Sequence, residues 1–164
     1  MNTAENIIQW MNMLTERGCR QTDARRKIIE VILTTSRAME PFEIFEIGRK
    51  QYPGLGLVTV YRTLEKLESL HLVQRVHQPG GCNMYIRAAS GHEHLLICTS
   101  CGQAVYFSGD DLTQFMSTVG SQFGYQVSDH WLQLFGTCQN CQAQMQREAL
   151  SKSTEEVECG KKSG

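Results

Sequence analysis

Apolar residues recur at helical spacing through about residue 70 of the chain and as short β-prone runs after it. Ile7, Trp10, Met11 and Leu14 fall on one face of a helix over residues 3–16, which Gly18 ends. Thr22 is placed to cap a second helix, where Ile28, Ile29, Ile32 and Leu33 form an apolar stripe. Pro41 suits the first turn of a third, carried by Phe42, Phe45 and Ile47 and broken by Tyr52-Pro53-Gly54. Val58, Tyr61, Leu64, Leu67 and Leu70 then recur every three residues, with Thr59, Arg62, Thr63 and Lys66 between them, and predict a fourth helix with one polar face. The runs LVQRVH and NMYIR, separated by Gln78-Pro79-Gly80-Gly81, predict a hairpin. Helices followed by a hairpin describe a winged helix.

The small, polar stretch Ala88-Ala89-Ser90-Gly91 reads as a hinge, and the composition changes beyond it. The pattern there is a strand (93–98), a Cys-x-x-Cys turn, a strand (103–107), a helix (about 110–122), a strand (125–136) and a second Cys-x-x-Cys turn. The expected layout is α+β: residues 1–87 as a winged-helix domain, 88–91 as hinge, 92–145 as a small α/β domain, and 146–164 as a disordered tail poor in apolar residues.

At 164 residues, two such domains would each lie near the lower limit for an independent core, so an added staple is expected. Seven cysteines, an odd count with no export pattern at the N-terminus, disfavour a disulfide framework and favour metal or redox chemistry. No segment is long and apolar enough to cross a membrane, and a cytoplasmic location is expected. Charge divides unevenly: residues 1–90 carry 12 Lys/Arg against 9 Asp/Glu (+3), and residues 91–164 carry 4 against 8 (−4), within a total of −1. A polyanion partner for the first half is one reading and an uneven surface the other.

The cysteine turns carry the strongest chemical signal. In Cys98-Thr99-Ser100-Cys101 and Cys138-Gln139-Asn140-Cys141, each tight turn aims two thiolates at one ion, and together they close a tetrahedron. Gly102 and Gly136 flank the pairs and can adopt unusual backbone angles. A closed four-sulfur shell has no open position for substrate, so the expected ion is structural zinc. Cys19 reads as a small apolar filler, and Cys159 has no assigned role.

GCRQTDAR, LVTVYRTLEKLE, GHEHLLICTSCG, GYQVSDHWLQLFGTC and the closing CQNC follow in this order, and from about residue 10 to residue 145 the chain resembles the ferric uptake regulator family. The resemblance implies a dimeric, metal-responsive repressor, with a winged helix on double-stranded operator DNA and a C-terminal dimerisation domain. It implies that Tyr61 touches a thymine methyl, that Arg62 contacts bases or phosphate, and that Arg20 enters a minor groove. Thr59, Thr63, Arg25 and Tyr52 are backbone-contact candidates.

The same resemblance places a regulatory metal at His92, His94 and His130. Its usual carboxylate position is Thr113 in this chain, and Asp111 or Asp110 is the candidate substitute, although aspartates there also serve as helix caps. A second family site reads Met39, Ile86, Glu93 and Leu95, of which only Glu93 can coordinate. His77 and Cys82 flank the wing turn and suggest a rearranged site near the hinge, or are ordinary wing residues. Imidazole, thiolate and carboxylate together favour a zinc-responsive regulator, with an iron-responsive one as the alternative and Zn2+ or Fe2+ as the regulatory ion. Tyr106-Phe107 stands where peroxide-sensing relatives have an aspartate, which disfavours that role. Outside this class stand a protein-interaction module without DNA binding and, last, a zinc hydrolase using the three histidines; no general base supports the latter, and no small organic substrate is expected.

Overall fold

A computed structural model gives the architecture. It describes the chain apart from residues 1, 78–82, 90–92, 109–111, 129, 131 and 160–164, and apart from the side chains of residues 77 and 150–159. Four helices open the chain: α1 (Thr3–Glu16), α2 (Asp23–Thr34), α3 (Pro41–Gln51) and α4 (Leu57–Ser69). Local chemistry sets the starts of the first three. Asn2 and Glu5 form a capping box on α1, the Thr22 hydroxyl accepts from the Arg25 amide at 3.3 Å, and Pro41 occupies the first turn of α3.

These helices enclose a core of Trp10, Met11, Leu14, Ile28, Ile29, Ile32, Ile44, Leu64 and Leu67, with Cys19 packed at its edge as a filler. Two helical faces differ from the sequence expectation. On α3 the buried residues are Pro41, Ile44 and Gly48, and Phe42 is exposed. On α4 they are Val60, Thr63, Leu64 and Leu67, whereas Val58 and Tyr61 face solvent. A strict three-residue repeat drifts around a helix of 3.6 residues per turn, so its later members Leu64 and Leu67 coincide with the buried stripe, with Leu70 packed at its edge, and its first two do not.

The wing is the antiparallel hairpin β1 (Val73–His77) and β2 (Asn83–Arg87), with Val73 opposite Arg87 and His77 opposite Asn83. The Glu68–Arg75 ion pair, at 2.8 Å, ties α4 to it. A three-stranded sheet follows in the order β4-β3-β5, from β3 (Glu93–Cys98), β4 (Ala104–Ser108) and β5 (Gln133–Gly136). β3 is antiparallel to β4 and parallel to β5. Helix α5 (Thr113–Phe123) lies between β4 and β5 in sequence.

Of the strand expected over 125–136, the described residues form β5 at Gln133–Gly136. Residues 125–128 run irregularly after the Tyr125 amide closes α5 on the Gly120 carbonyl at 2.8 Å. The second Cys-x-x-Cys leads into α6 (Gln139–Cys159), so most of the expected disordered tail is helical in backbone, and 160–164 lie outside the described residues. Gln, Ala, Met, Arg, Glu and Leu over 142–150 favour a helix without needing a buried face.

The two sheets are not separate. Between α2 and α3, Arg37 bridges Gln103 and Met39 bridges Tyr85. Beneath these bridges lies a second core of Ala38, Val76, Met84, Ile86, Leu95, Ile97 and Ala104, with Tyr106 against it. It draws residues from the wing and from the three-stranded sheet alike.

Candidate functional site

Neighbouring parallel strands position the cysteines. Cys98 ends β3 opposite Gly136, which ends β5, and the Thr99 amide donates to the Gly136 carbonyl at 2.8 Å. Each strand then turns directly into its Cys-x-x-Cys, and the two turns meet. Ligand atoms of Cys98, Cys101, Cys138 and Cys141 all lie within 4.8 Å of one another, with Cys98–Cys141 and Cys101–Cys138 Sγ pairs at 3.8 Å. Zinc–sulfur bonds of about 2.3 Å at tetrahedral angles require sulfur–sulfur edges of about 3.8 Å, so the residues fit the ion. Gly102 takes φ +74°, as the sequence anticipated; Gly136 takes no left-handed angle and serves as a strand residue.

Electrostatics agree with a cation here. Burial works against a Cys98 thiolate, yet the backbone N–H groups of Cys138, Cys101 and Ser100 outweigh it and hold the thiol down to about 6. The Cys141 thiol is pushed up to about 12, first by Cys138 and then by Cys101. Four clustered thiols cannot all ionise alone, and a dication held by them would supply the missing charge.

His94 and His130 are brought together, with ring centroids 5.2 Å apart, and Phe107 stacks against His94 at 5.5 Å. His94 is buried and His130 half-buried. His92, Asp110, Asp111 and Cys82 lie outside the described residues, as does the side chain of His77. Thr113 opens α5 and is exposed. Met39, Ile86 and Leu95 are buried among apolar side chains, so the place where the resemblance would put a second metal is filled by hydrophobic packing.

His94 shares a sheet face with Leu96, two residues on. Leu96 stands opposite Val105 on one side and Leu134 on the other, and this row is solvent-exposed at 44%, 54% and 43%. His94 therefore sits one rank along β3 from this apolar row, opposite Phe107. The opposite face of β3, with Leu95 and Ile97, packs toward the wing.

On α4, Tyr61 is 47% exposed, Arg62 is exposed and Thr59 is half-buried. Thr63 is fully buried, so it does not reach a DNA backbone; helical geometry puts it on the same face as Val60 and Leu67. Arg20 is exposed, while the Arg25 guanidinium donates to the Arg20 carbonyl and braces the α1–α2 loop. Tyr52 packs against the helical core.

Residues 16–135 match the family model described as the ferric uptake regulator family. The chain belongs to that family. It is 26% identical over 148 residues to the ferric uptake regulation protein of Neisseria meningitidis, covering 90% of this chain and all of that protein. It is 29% identical over 126 residues to the zinc uptake regulation protein of Mycobacterium tuberculosis, covering 77% and 97%. Among solved structures, the Helicobacter pylori ferric uptake regulator, described as having three functional metal binding sites, shares the fold at a TM-score of 0.68 and 22% identity, over 87% of this chain and 95% of that one. A zinc uptake regulator bound to zinc and DNA does so at 0.65 and 21%, over 91% and 99%. Like its family, the chain is a metal-responsive transcriptional regulator and not an enzyme. Among the described residues, no helix is long and apolar enough to cross a membrane.

Proposed function

We propose that the chain is a zinc-responsive repressor, working in the cytoplasm as a homodimer on a palindromic DNA operator. The observation that carries this reading is the division of α4: Val60, Leu64 and Leu67 lock one face into the core, while Tyr61 and Arg62 stand free on the other. A helix so held presents donors and an aromatic edge to a major groove at a fixed angle.

In this reading Cys98, Cys101, Cys138 and Cys141 hold a structural zinc, and His94 and His130, joined by His92, hold the exchangeable ion. Asp111, His77 and Cys82 remain candidates for completing that shell. Imidazole donors serve both zinc and iron, and a thiolate from Cys82 would favour zinc. The exposed row of Val105, Leu96 and Leu134, with Phe115 and Phe123 on α5, supports a second copy as its cover. Metal on His94 would then order the strand that meets the partner. Linkage requires the ion to bind the DNA-competent dimer more tightly than the free form.

The test is operator affinity of the purified protein across a zinc and iron series, with metal content measured in parallel. Tighter operator binding with one exchangeable zinc per chain is expected. Equal affinity with and without that ion removes the metal-responsive mechanism, and a response to iron alone selects the iron-responsive alternative.

A further inference from the structure

The segment 36–39 pairs on both of its edges. On one edge the Ala38 amide donates to the Gly102 carbonyl at 2.8 Å and the Ala104 amide donates to the Ser36 carbonyl at 3.0 Å, bracketing the Arg37–Gln103 bridge. On the other, Met39 and Tyr85 exchange both backbone hydrogen bonds, at 3.0 and 2.8 Å. Successive residues of an extended chain direct their backbone groups to opposite sides, so this segment acts as an inner strand between β2 and the start of β4. The wing and the three-stranded sheet thereby continue as β1-β2-(36–39)-β4-β3-β5.

The splice touches the cysteine site directly. Gly102 follows Cys101, its amide donates to the Cys98 carbonyl at 2.9 Å, and the Cys98 amide donates to the Gln103 carbonyl at 2.8 Å. The turn that aims two ligands at the ion is therefore the turn that receives the Ala38 amide. Its closeness depends on glycine. At φ +74° a side chain is strained, and an added Cβ would lie 2.7 Å from the Ala38 carbonyl oxygen and 3.1 Å from the Met84 methyl. The N-terminal end of the segment is one residue beyond Thr35, the C-cap of α2, and its far end leads through Glu40 into α3. Both are helices that α4 packs against.

We propose that the four-cysteine ion is a positioning element for DNA reading. By fixing the first cysteine turn, it sets Gly102 and Ala104, which hold Ser36–Ala38 and so orient the winged-helix half relative to the sheet that carries the dimer face. The role is transmitted through backbone hydrogen bonds over an apolar core, at a place where Met39, Ile86 and Leu95 leave no metal bridge of their own. This inference rests on the reading of the chain as an operator-binding dimer, and its test separates the two.

Amide hydrogen exchange of the full chain is compared with the four-cysteine ion loaded and after its removal by a chelator under reducing conditions. Exchange at Ala38 and Ala104 is expected to accelerate about tenfold or more, while Ile29 and Ile32 in α2 keep their protection. Unchanged protection at Ala38 and Ala104 overturns the proposal. So does loss of protection throughout α2, because the ion would then be a staple of the whole chain. This arm needs no DNA, so it decides the splice even if the wild type binds no operator, a result that would sink the functional reading alone.

The orienting role is read with Ala104→Pro. The Ala104 amide serves only the Ser36 carbonyl, because the ladder to β3 uses the backbone groups of Gln103, so the substitution removes one splice bond and leaves the cysteine turn intact. Affinity for a full palindrome should fall about tenfold while affinity for an isolated half-site and zinc content stay unchanged, because only simultaneous engagement depends on orientation. Equal loss on both sites, or none on either, overturns it. If Ala104→Pro does not fold, the exchange comparison decides alone: unchanged protection at Ala38 and Ala104 on removal of the ion overturns the proposal.

Discussion

Tyr106 holds Arg87 at two points: its hydroxyl donates to the Arg87 carbonyl at 2.6 Å, and its ring lies 4.6 Å beneath the Arg87 guanidinium. The contact clasps the end of the wing to β4, across the stretch that the sequence marks as a hinge. Burial pushes the Tyr106 phenol above its ordinary value of 10.0, with Arg87 opposing in part, and burial pushes Tyr85 the same way. A phenol whose folded value is raised contributes stability that is complete below the unfolded value and is lost as pH rises through the folded one. Urea unfolding followed from pH 8 upward should therefore show stability falling above about pH 10, and Tyr106→Phe should make that fall shallower. At neutral pH the same variant should lose about 0.5–1.5 kcal/mol, the usual net worth of one hydrogen bond.

Thr63 offers a sharper test of how α4 sits. Its hydroxyl oxygen is buried with no hydrogen-bond partner. Removing an unsatisfied buried polar atom while keeping shape is stabilising, so Thr63→Val should raise unfolding free energy by about 1 kcal/mol. Operator affinity should not change. A loss of affinity would return Thr63 to the DNA contacts that the resemblance implied.

Tyr61 and Arg62 should behave in the opposite way. Alanine at either should leave thermal unfolding nearly unchanged, within about 0.5 kcal/mol, because neither fills the core. Operator binding should weaken by about 1–3 kcal/mol for a base-edge contact. Fluorescence anisotropy with operator and with scrambled duplex separates the roles: a base reader loses its preference, whereas a phosphate contact weakens both duplexes and reduces the salt dependence.

Dimerisation can be tested at the sheet row. Leu96→Glu places a charge between Val105 and Leu134 without disturbing the buried side of β3. Sedimentation of both proteins at one concentration is expected to show a dimer for the wild type and a monomer for the variant, with zinc content unchanged. A dimer that survives this charge would place the interface elsewhere.

The cysteine site was legible because two Cys-x-x-Cys spacings fix local geometry whatever surrounds them, and the four helices and the wing were legible because their turns and caps are local too. The faces of α3 and α4 were harder. Tyr61 and Phe42 carry apolar rings and look like core in one dimension, but Ile44, Val60 and Thr63 occupy the inward angles, and only packing against α2 decides which ring is left outside. Likewise, β-prone composition over 125–136 cannot state how many residues find a partner strand; among the described residues, four pair with β3.

From the sequence alone came the order of elements as far as the second cysteine pair, the family resemblance and the four cysteines that the fold gathers, all set by chemistry within a few residues or by motifs in series. Tertiary structure decided that the wing and the three-stranded sheet share the second core and that residues 36–39 splice the two sheets. No spacing along the chain announces that splice: Gly102 stands out in the sequence only as a neighbour of the cysteine turn, and nothing marks Ala38 as its partner until the fold brings their backbones within hydrogen-bonding distance. Long-range backbone pairing carries no side-chain signature, so it emerges only when the surrounding residues have packed.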